Sequence, residues 1–215
     1  MSHPARNLTV VTGLPPYIAF EGPEGTGKST QAALLAEALD AVLTRETGGT
    51  AIGLRLREIL HDTAVDNLEW RAEALITAAD RAQHLAEVVV PALRSGRTVV
   101  SDRSVYSTLA YQGYGRGLDL DELRRINDWA VDGVWPSLVV FVDAHPAVIA
   151  DRLNGRDLDR FERAGDDFHR RVLDGFHAMA VADPDRWIVI SSDGSKDRTA
   201  AEVLNTVRAR LNADV

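Results

Sequence analysis

The sequence of 215 residues contains no cysteine, which excludes disulfides, thiolate zinc sites and cysteine nucleophiles. It also lacks any apolar stretch approaching the roughly 20 residues that a membrane-spanning helix requires. The chain also has no excess of positive charge, since its 24 basic and 32 acidic side chains give a net charge of −8. That balance argues against broad binding to nucleic acid or to an anionic membrane. These absences favour a cytoplasmic protein that works without sulfur chemistry.

What is present is typical of an ordinary globular protein: 45% of the residues are hydrophobic and 26% are charged. The length predicts one domain. Residues 1–16 carry Pro4, Gly13 and two adjacent prolines, and we interpret them as a flexible leader. Residues 17–215 are then a single domain. The six histidines show no spacing typical of a metal site, so we expect them to be structural.

Short apolar runs alternate with longer amphipathic stretches along the chain, a pattern that predicts an α/β fold. We expect a five-stranded parallel sheet, helices on both of its faces, and a short lid at about 154–167, where charged residues dominate. The predicted strands are Tyr17–Glu21, 41–44, 98–102, Leu138–Asp143 and Trp187–Ser191. The predicted helices are 28–39, 69–93, one capped by Asp119, 147–153, 167–181 and 199–211.

The strongest motif is a glycine-rich segment between the first predicted strand and the first predicted helix. Glycines let backbone amides approach phosphate oxygens, and the amino end of the helix adds a favourable dipole. A lysine in this position reaches the β- and γ-phosphates, and the next hydroxyl is a Mg²⁺ ligand. The sequence therefore predicts a P-loop that binds ATP. Its expected ATP-binding residues are Gly22, Glu24, Gly25, Thr26, Gly27, Lys28, Ser29 and Thr30.

A second motif, Asp102-Arg103, follows the third predicted strand. An acid at the carboxyl end of a neighbouring parallel strand is positioned to complete a Mg²⁺ shell opposite Ser29, and the arginine to reach phosphate. An aspartate here also caps the following helix in many proteins, and the two roles are compatible.

Together these segments resemble the bacterial thymidylate kinase family over nearly the whole chain after the leader. The resemblance rests on the P-loop with Glu24 inside it and on several further motifs in the same order. These are Thr44-Arg45-Glu46 with Gly48-Gly49-Thr50, Asp80-Arg81-Ala82-Gln83-His84, Asp102-Arg103, Ser107-Thr108-Leu109-Ala110-Tyr111-Gln112-Gly113, Gly115-Arg116-Gly117-Leu118 and Asp159-Arg160-Phe161-Glu162.

The resemblance implies a P-loop three-layer fold, a homodimer, and transfer of the γ-phosphoryl group of MgATP to dTMP on the route to dTTP. It places Glu24 near the acceptor and the metal, which gives a metal set of Ser29, Asp102 and Glu24. It places three arginines around the acceptor phosphate, where a guanidinium binds two oxygens at once. The implied acceptor-binding residues are Glu24, Arg45, Thr77, Arg81, Arg103, Thr108, Tyr111 and Gln112.

Catalytic charge is expected from Lys28, Arg103 and the lid. Some members of the family carry an arginine inside the P-loop, where this chain has Gly25. In the other type the lid supplies that charge, and Arg156 and Arg160 are placed to do so. Arg152 and Arg163 are weaker choices.

Three departures from the family pattern lie on the acceptor side. Thr47 replaces a proline, and because a cis peptide bond is disfavoured before other residues, the loop is expected to run differently. Thr77 stands where a phenylalanine commonly stacks on thymine, a contact worth about 1 to 3 kcal/mol elsewhere. Ser104 replaces a residue that is frequently aromatic. Two alternatives therefore stay open: a related kinase for another nucleoside monophosphate, and an ATP-dependent switch without kinase turnover.

Overall fold

The computed structural model describes residues 13–155 and 159–213. Within them one parallel sheet runs through the molecule in the order β2-β3-β1-β4-β5. The strands are β1 (Tyr17–Glu21), β2 (Val42–Arg45), β3 (Val99–Asp102), β4 (Leu138–Asp143) and β5 (Trp187–Ser191). The predicted strands are thus confirmed, with shifts of one residue at the ends of β2 and β3.

The central strands form because they are continuous apolar runs that can be buried on both faces. Every residue of β1 is buried, and β4 is buried up to its last residue. Successive side chains point to opposite faces. One face packs against a cluster that includes Phe141 and Phe176, and the other against a cluster that includes Phe20 and Leu35. Helices cover both clusters, which gives the three layers that the resemblance implies.

The helical segments are more numerous than the sequence pattern predicted. They are α1 (Lys28–Ala38), α2 (Ala51–His61), α3 (Trp70–His84), α4 (Val90–Arg94), α5 (Val105–Thr108), α6 (Leu120–Val131), α7 (Pro146–Leu153), α8 (Asp166–Ala182) and α9 (Lys196–Ala213). Asp119 caps α6 as expected, since its carboxylate accepts from the amide of Glu122 at 2.8 Å. A π-helical turn, Leu85–Val89, joins α3 to α4, so the long predicted helix is continuous but not uniform.

Two helical segments were missed. In helix α2 the residues Ile52, Leu54 and Leu56 alternate with Gly53 and Arg55, a spacing of two that does not indicate a helix, and glycine disfavours one. The other segment runs through α5 into the π-helical Leu109–Gly115, which contains two glycines. Both segments border the functional site. Residues of α2 on that site were therefore missed, whereas Thr108, Tyr111 and Gln112 of the second segment were identified by the family resemblance.

The sheet brings the two principal motifs together. Phe20 pairs with Asp102, and Arg45 also pairs with Asp102, so the carboxyl ends of β1, β2 and β3 lie side by side. Ligands of open parallel sheets bind at this edge. Most of the predicted leader, and Arg156 in the predicted lid, lie outside the described residues. In the described part of the chain, no helix combines the length and the apolar character needed to span a membrane.

Candidate active site

The P-loop connects the end of β1 to the start of α1 in a tight backbone turn. Gly22, Gly25 and Gly27 all have positive φ angles, which are 141°, 78° and 85°. A Cβ on Gly22 would lie 2.4 Å from the carbonyl oxygen of Val142, so only glycine fits there. Thr26 closes the turn by donating its hydroxyl to the carbonyl of Pro23 at 3.0 Å. The loop therefore has the glycine-dependent path on which phosphate binding by backbone amides depends.

Lys28 is held against this loop although it is only 3% exposed. Its Nζ donates to Glu24 Oε1 at 3.2 Å and to the carbonyl of Pro23 at 3.4 Å. Burial and the nearby Arg103 lower the pKa of Lys28, while Glu24 acts in the opposite direction. Burial alone would raise the pKa of Glu24, but Arg103 and Lys28 hold it well below its ordinary value. Glu24 is therefore an ionised carboxylate between two cations.

Among the residues expected to hold magnesium, Asp102 has a carboxylate oxygen available to a metal ion. Oδ1 of Asp102 is buried and has no hydrogen-bond partner among the described residues. Ser29 lies on the first turn of α1 with its side chain exposed. No group of three or more acidic, histidine or cysteine side chains in the described ranges forms a metal cage. Mg²⁺ commonly uses one or two carboxylates together with water and substrate phosphates, so this sparse set suits it.

A cavity of about 660 Å³ opens beside the P-loop. We call it the acceptor cavity because most of the predicted acceptor-binding residues line it. Its walls combine a charged side, a hydroxyl-rich side and an aromatic side. The lining residues include Glu24, Glu46, Thr47, Arg57, His61, Thr77, Arg81, Arg103, Ser104, Ser107, Thr108, Tyr111, Gln112, Asp159 and Phe161. The three positions that depart from the family pattern all line this cavity.

Arg81 lies deep in the cavity wall and is 2% exposed. Its Nε donates to Glu46 at 2.9 Å, and a second nitrogen donates to Asn127. The third nitrogen, Nη2, donates to Thr108 Oγ1 at 3.0 Å and to the carbonyl of Ser104 at 3.3 Å. Four of its five N–H groups have partners among the described residues, and one on Nη1 does not. Bidentate binding of a phosphate would therefore require Arg81 to release a protein partner.

Arg103 faces the P-loop from the end of β3. It forms an ion pair with Glu24 and donates to the carbonyl of Gly22 at 3.3 Å and to the hydroxyl of Tyr111 at 3.2 Å. Its side chain also lies 5.1 Å from the centre of the Tyr111 ring. Glu24 therefore contacts both Lys28 and Arg103, and it also lines the acceptor cavity. The roles expected of these residues in binding and catalysis stay predictions.

The loop after β2 follows a path that the sequence argument did not expect. The Glu46–Thr47 peptide bond is cis although Thr47 is not proline, so the expectation of a different path based on that residue was wrong. Gly48 donates its amide to Asp80 Oδ1 at 3.0 Å. A Cβ on Gly49 would lie 2.5 Å from the carbonyl oxygen of Arg45 and 2.8 Å from the ring of His84. Close packing of this loop on α3 thus requires glycine.

Arg57 is a cavity residue that the sequence analysis missed, because α2 was missed. It donates Nη1 to the carbonyl of Thr47 at 3.3 Å, and burial together with Arg45 lowers its pKa. Arg45 itself is exposed and does not line the cavity in this structure. The acceptor role expected of Arg45 stays a prediction, and Arg57 is the cation that lines the cavity from α2.

The remaining predicted acceptor residues line one wall. The hydroxyl of Thr108 donates to that of Thr77 at 3.2 Å, and Gln112 Nε2 donates to Glu73 at 2.8 Å. Thr77 supplies no ring. Tyr111 and Phe161 of the lid line the cavity with aromatic rings whose centres are 5.9 Å apart, and His61 and His169 line it as well.

The lid residues contact the acceptor side more than the P-loop. Asp159 pairs with His61 at 2.6 Å, and Arg160 pairs with Glu73 at 2.7 Å. Arg160 also donates to the carbonyl of Leu60 at 2.8 Å. A catalytic role for Arg160 therefore requires the lid to rearrange.

Arg152, considered a weaker choice, contacts the P-loop as Arg103 does. Its Nη1 donates to the carbonyl of Gly25 at 3.1 Å and to that of Thr26 at 3.3 Å. It lines a further cavity of about 570 Å³ with residues of the P-loop, of α1, of the segment that follows β5 and of α9. Among the described residues, none lines both this cavity and the acceptor cavity.

The P-loop, the unpartnered Asp102 oxygen and the adjoining cavity with its arginines define a P-loop kinase that acts on a small phosphorylated acceptor. The chain belongs to the thymidylate kinase family, whose model matches residues 20–203. It is accordingly an ATP-dependent nucleoside monophosphate kinase.

Individual relatives agree with this assignment. The chain is 47% identical over 201 residues to the thymidylate kinase of Synechococcus sp. (strain JA-2-3B'a(2-13)), covering 91% of this chain and 95% of that one. It is 41% identical over 201 residues to the thymidylate kinase of Cutibacterium acnes, covering 91% and 98%. The crystal structure of thymidylate kinase from Ehrlichia chaffeensis superimposes with a TM-score of 0.74 at 32% identity, covering 90% of this chain and 98% of that one.

Proposed function

We propose that the protein transfers the γ-phosphoryl group of MgATP to dTMP and forms dTDP and ADP. The observation that carries the proposal is the placement of Glu24, which pairs with Lys28 on the P-loop side and with Arg103 on the cavity side. A donor phosphate bound by Lys28 and an acceptor phosphate bound by Arg103 would then lie close together, because one carboxylate contacts both cations. The family and its named relatives supply dTMP as the acceptor.

The transfer needs no covalent intermediate and little help from a general base, because the acceptor oxygen is already anionic. Catalysis rests on in-line positioning and on positive charge around the transferred group. Lys28 supplies charge on the donor side, and Arg103 and Arg57 supply it on the acceptor side. A rearranged lid would add Arg160, while Arg156 is proposed for the same task from the sequence alone.

Magnesium is proposed as the cofactor, with Asp102 and Ser29 holding its shell and Glu24 near it. When bound, it neutralises charge on the β- and γ-phosphates. The residues themselves orient the donor: the P-loop amides hold the phosphates, and Arg152 steadies the carbonyls of Gly25 and Thr26. The cavity that Arg152 lines is proposed to take the adenosine part of ATP.

The acceptor is tested by ADP release over a panel of monophosphates. We expect dTMP to be preferred over dUMP, dCMP, dGMP and AMP. Unphosphorylated thymidine is expected to be inactive because it lacks the phosphate that the cavity arginines would hold. The hydroxyl at Thr77 is the observation that favours the rival, a kinase for another monophosphate, since the ring expected at that position is absent. Equal rates with all five monophosphates would contradict the dTMP proposal. ADP release that does not depend on any monophosphate would instead favour the ATP-dependent switch.

A homodimer is proposed through the outer face of α3 and α6. Trp129 on α6 is 84% exposed and Leu75 on α3 is 54% exposed, and both line one apolar groove. Exposed apolar grooves of this kind are typical of protein interfaces. The family resemblance supplies a second copy of the chain as the partner.

Replacing Trp129 with glutamate is therefore expected to convert a dimer into a monomer, because a carboxylate would be buried at the interface. Light scattering after size exclusion measures the mass. Val181→Glu is the matched control, since Val181 is 82% exposed on α8, and this variant is expected to remain dimeric. A monomeric unmodified protein, or a dimeric Trp129→Glu variant, would contradict this interface.

A cytoplasmic location is proposed as well. Both substrates are highly charged nucleotides, which do not cross a lipid bilayer unaided.

A further inference from the structure

Glu21 is a buried carboxylate for which the proposed transfer has no role. It is the last residue of β1 and directly precedes the P-loop, and its side chain is completely buried. Burying a charge is costly unless hydrogen bonds compensate it. The partners that Glu21 has taken therefore indicate what it does.

Two serines beyond the end of β3 satisfy this carboxylate. Ser104 donates its hydroxyl to Oε1 at 2.7 Å. Ser107 donates its backbone amide to Oε1 at 3.2 Å and its hydroxyl to Oε2 at 2.6 Å. Glu21 thus ties the segment that follows Arg103 to the strand that precedes the P-loop.

The hydroxyl of Ser107 has a second partner, and it fixes the direction of the hydrogen bonds. Arg103 donates Nη1 to Ser107 Oγ at 3.1 Å. A guanidinium has donors only, so Ser107 accepts from Arg103 and must turn its own hydrogen towards Glu21. Because Glu21 Oε2 accepts the hydrogen of the Ser107 hydroxyl, a lone pair of Ser107 Oγ stays directed at Arg103.

Arg103 depends on such support because its backbone is unusual. Its φ angle is 72°, in the left-handed region that residues other than glycine rarely adopt. Its carbonyl accepts from the hydroxyl of Ser101 at 2.7 Å, which fixes the backbone on one side. Ser107 fixes the side chain, whose remaining contacts reach across to the P-loop and to Tyr111.

We infer that Glu21 is a positioning residue for the acceptor site: through Ser107 it holds the Arg103 guanidinium in the orientation that meets the acceptor phosphate. Glu21 itself touches neither substrate. This role rests on the proposed function, since it assigns Arg103 to the acceptor.

The relay requires Glu21 to be ionised. Burial raises the pKa of Glu21 to about 7, while Arg103 and the hydroxyls of Ser107 and Ser104 act in the opposite direction, and Glu46 adds to the rise. At pH 8 the carboxylate is therefore largely ionised and both of its oxygens accept. Kinetic comparisons are best made at that pH.

The experiment compares Glu21→Gln, Ser107→Ala and the double variant with the unmodified enzyme, each with dTMP and with MgATP varied separately. Glu21→Gln keeps the shape but replaces one acceptor oxygen with a donor, and Ser107→Ala removes the link itself. Each is expected to lower kcat/KM for dTMP about tenfold, the loss of one hydrogen bond to a charged group, and to change KM for MgATP less than twofold. The double variant is expected to be no worse than the poorer single one, because both act on one chain of contacts.

Ser104→Ala is the matched comparison, since Ser104 donates to the same carboxylate but its hydroxyl does not contact Arg103. Its loss in kcat/KM for dTMP is expected to be smaller than that of Ser107→Ala, because Arg103 keeps its hydrogen bond to Ser107. Additive losses in the Glu21/Ser107 pair, equal losses for dTMP and MgATP, or a lowered melting temperature with unchanged kinetics would each overturn the inference. If Glu21→Gln fails to fold, Ser107→Ala alone decides through its dTMP-specific loss. Failure of the unmodified enzyme to phosphorylate dTMP would instead overturn the proposed function.

Discussion

Replacing Lys28 with alanine is expected to lower kcat by about a thousandfold. Removing one preorganised charge that faces a developing transition state costs about a hundred- to a thousandfold in other enzymes, and phosphoryl transfer depends on such charges especially strongly. Lys28 is buried against the P-loop and contacts Pro23 and Glu24, so no other lysine or arginine among the described residues occupies its place. Steady-state ADP release measures the effect.

Folding of the Lys28 variant is expected to survive, because Glu24 keeps its ion pair with Arg103. Thermal unfolding separates loss of activity from loss of structure. Arg208→Ala is the control for removing a positive charge, since Arg208 is exposed on α9, and it is expected to leave kcat unchanged. A Lys28→Ala enzyme that keeps a tenth or more of its activity would contradict the role given to this lysine.

Replacing Arg81 with methionine is expected to destabilise the fold by about 3 to 5 kcal/mol, the usual cost of removing one partner from a buried ion pair. Glu46 would keep the His84 ring, at 3.2 Å, as its side-chain partner among the described residues. Asn127 and Thr108 would lose their donor as well. Urea unfolding of the variant and the unmodified protein measures the difference.

The pH dependence of this variant has a definite sign. In the unmodified protein Arg81 and His84 outweigh burial and lower the pKa of Glu46, so the stability it contributes is present above its unfolded pKa and is lost as the pH falls. Without Arg81, burial dominates and raises that pKa, so the folded state favours the protonated acid. Stability of the variant is then lost as the pH rises, and it is expected to be less destabilised at pH 5 than at pH 8.

Adding Glu46→Gln to the Arg81→Met variant tests the same point. The amide carries no charge, so the double variant is expected to regain part of the lost stability and to lose the inverted pH dependence. A double variant that is less stable than Arg81→Met would show that the unpaired charge is not the cause.

The strands and the P-loop could be predicted because their signals are local. A strand buried on both faces must be apolar throughout, as in Leu138–Asp143, and a phosphate loop needs glycines at fixed places. The position of Asp102 beside the P-loop depends in addition on the pairing of β1 with β3, which joins distant parts of the chain and which the sequence analysis assumed only from the way ligands bind at strand ends.

The acceptor side was harder to predict, since its contacts join distant segments. Arg57 was missed because the first apolar residues of α2 alternate at a spacing of two, which does not indicate a helix. The pairing of His61 with Asp159 spans 98 residues without any periodic signal. Arg81 was expected at the acceptor phosphate, but the contacts that bury it come from Glu46, Ser104, Thr108 and Asn127. The sequence identified Arg81, but only the packed structure shows that most of its N–H groups already have protein partners.

Glu73 joins the lid to the wall of the acceptor cavity. This buried carboxylate accepts from Gln112 of that wall at 2.8 Å, and it pairs with the lid residue Arg160 at 2.7 Å and with Arg116 at 3.2 Å. A lid movement that withdraws Arg160 would leave Arg116 as the ion-pair partner of Glu73. The lid can therefore detach from this wall without leaving a buried carboxylate unpaired, which is the costly outcome of breaking a buried ion pair.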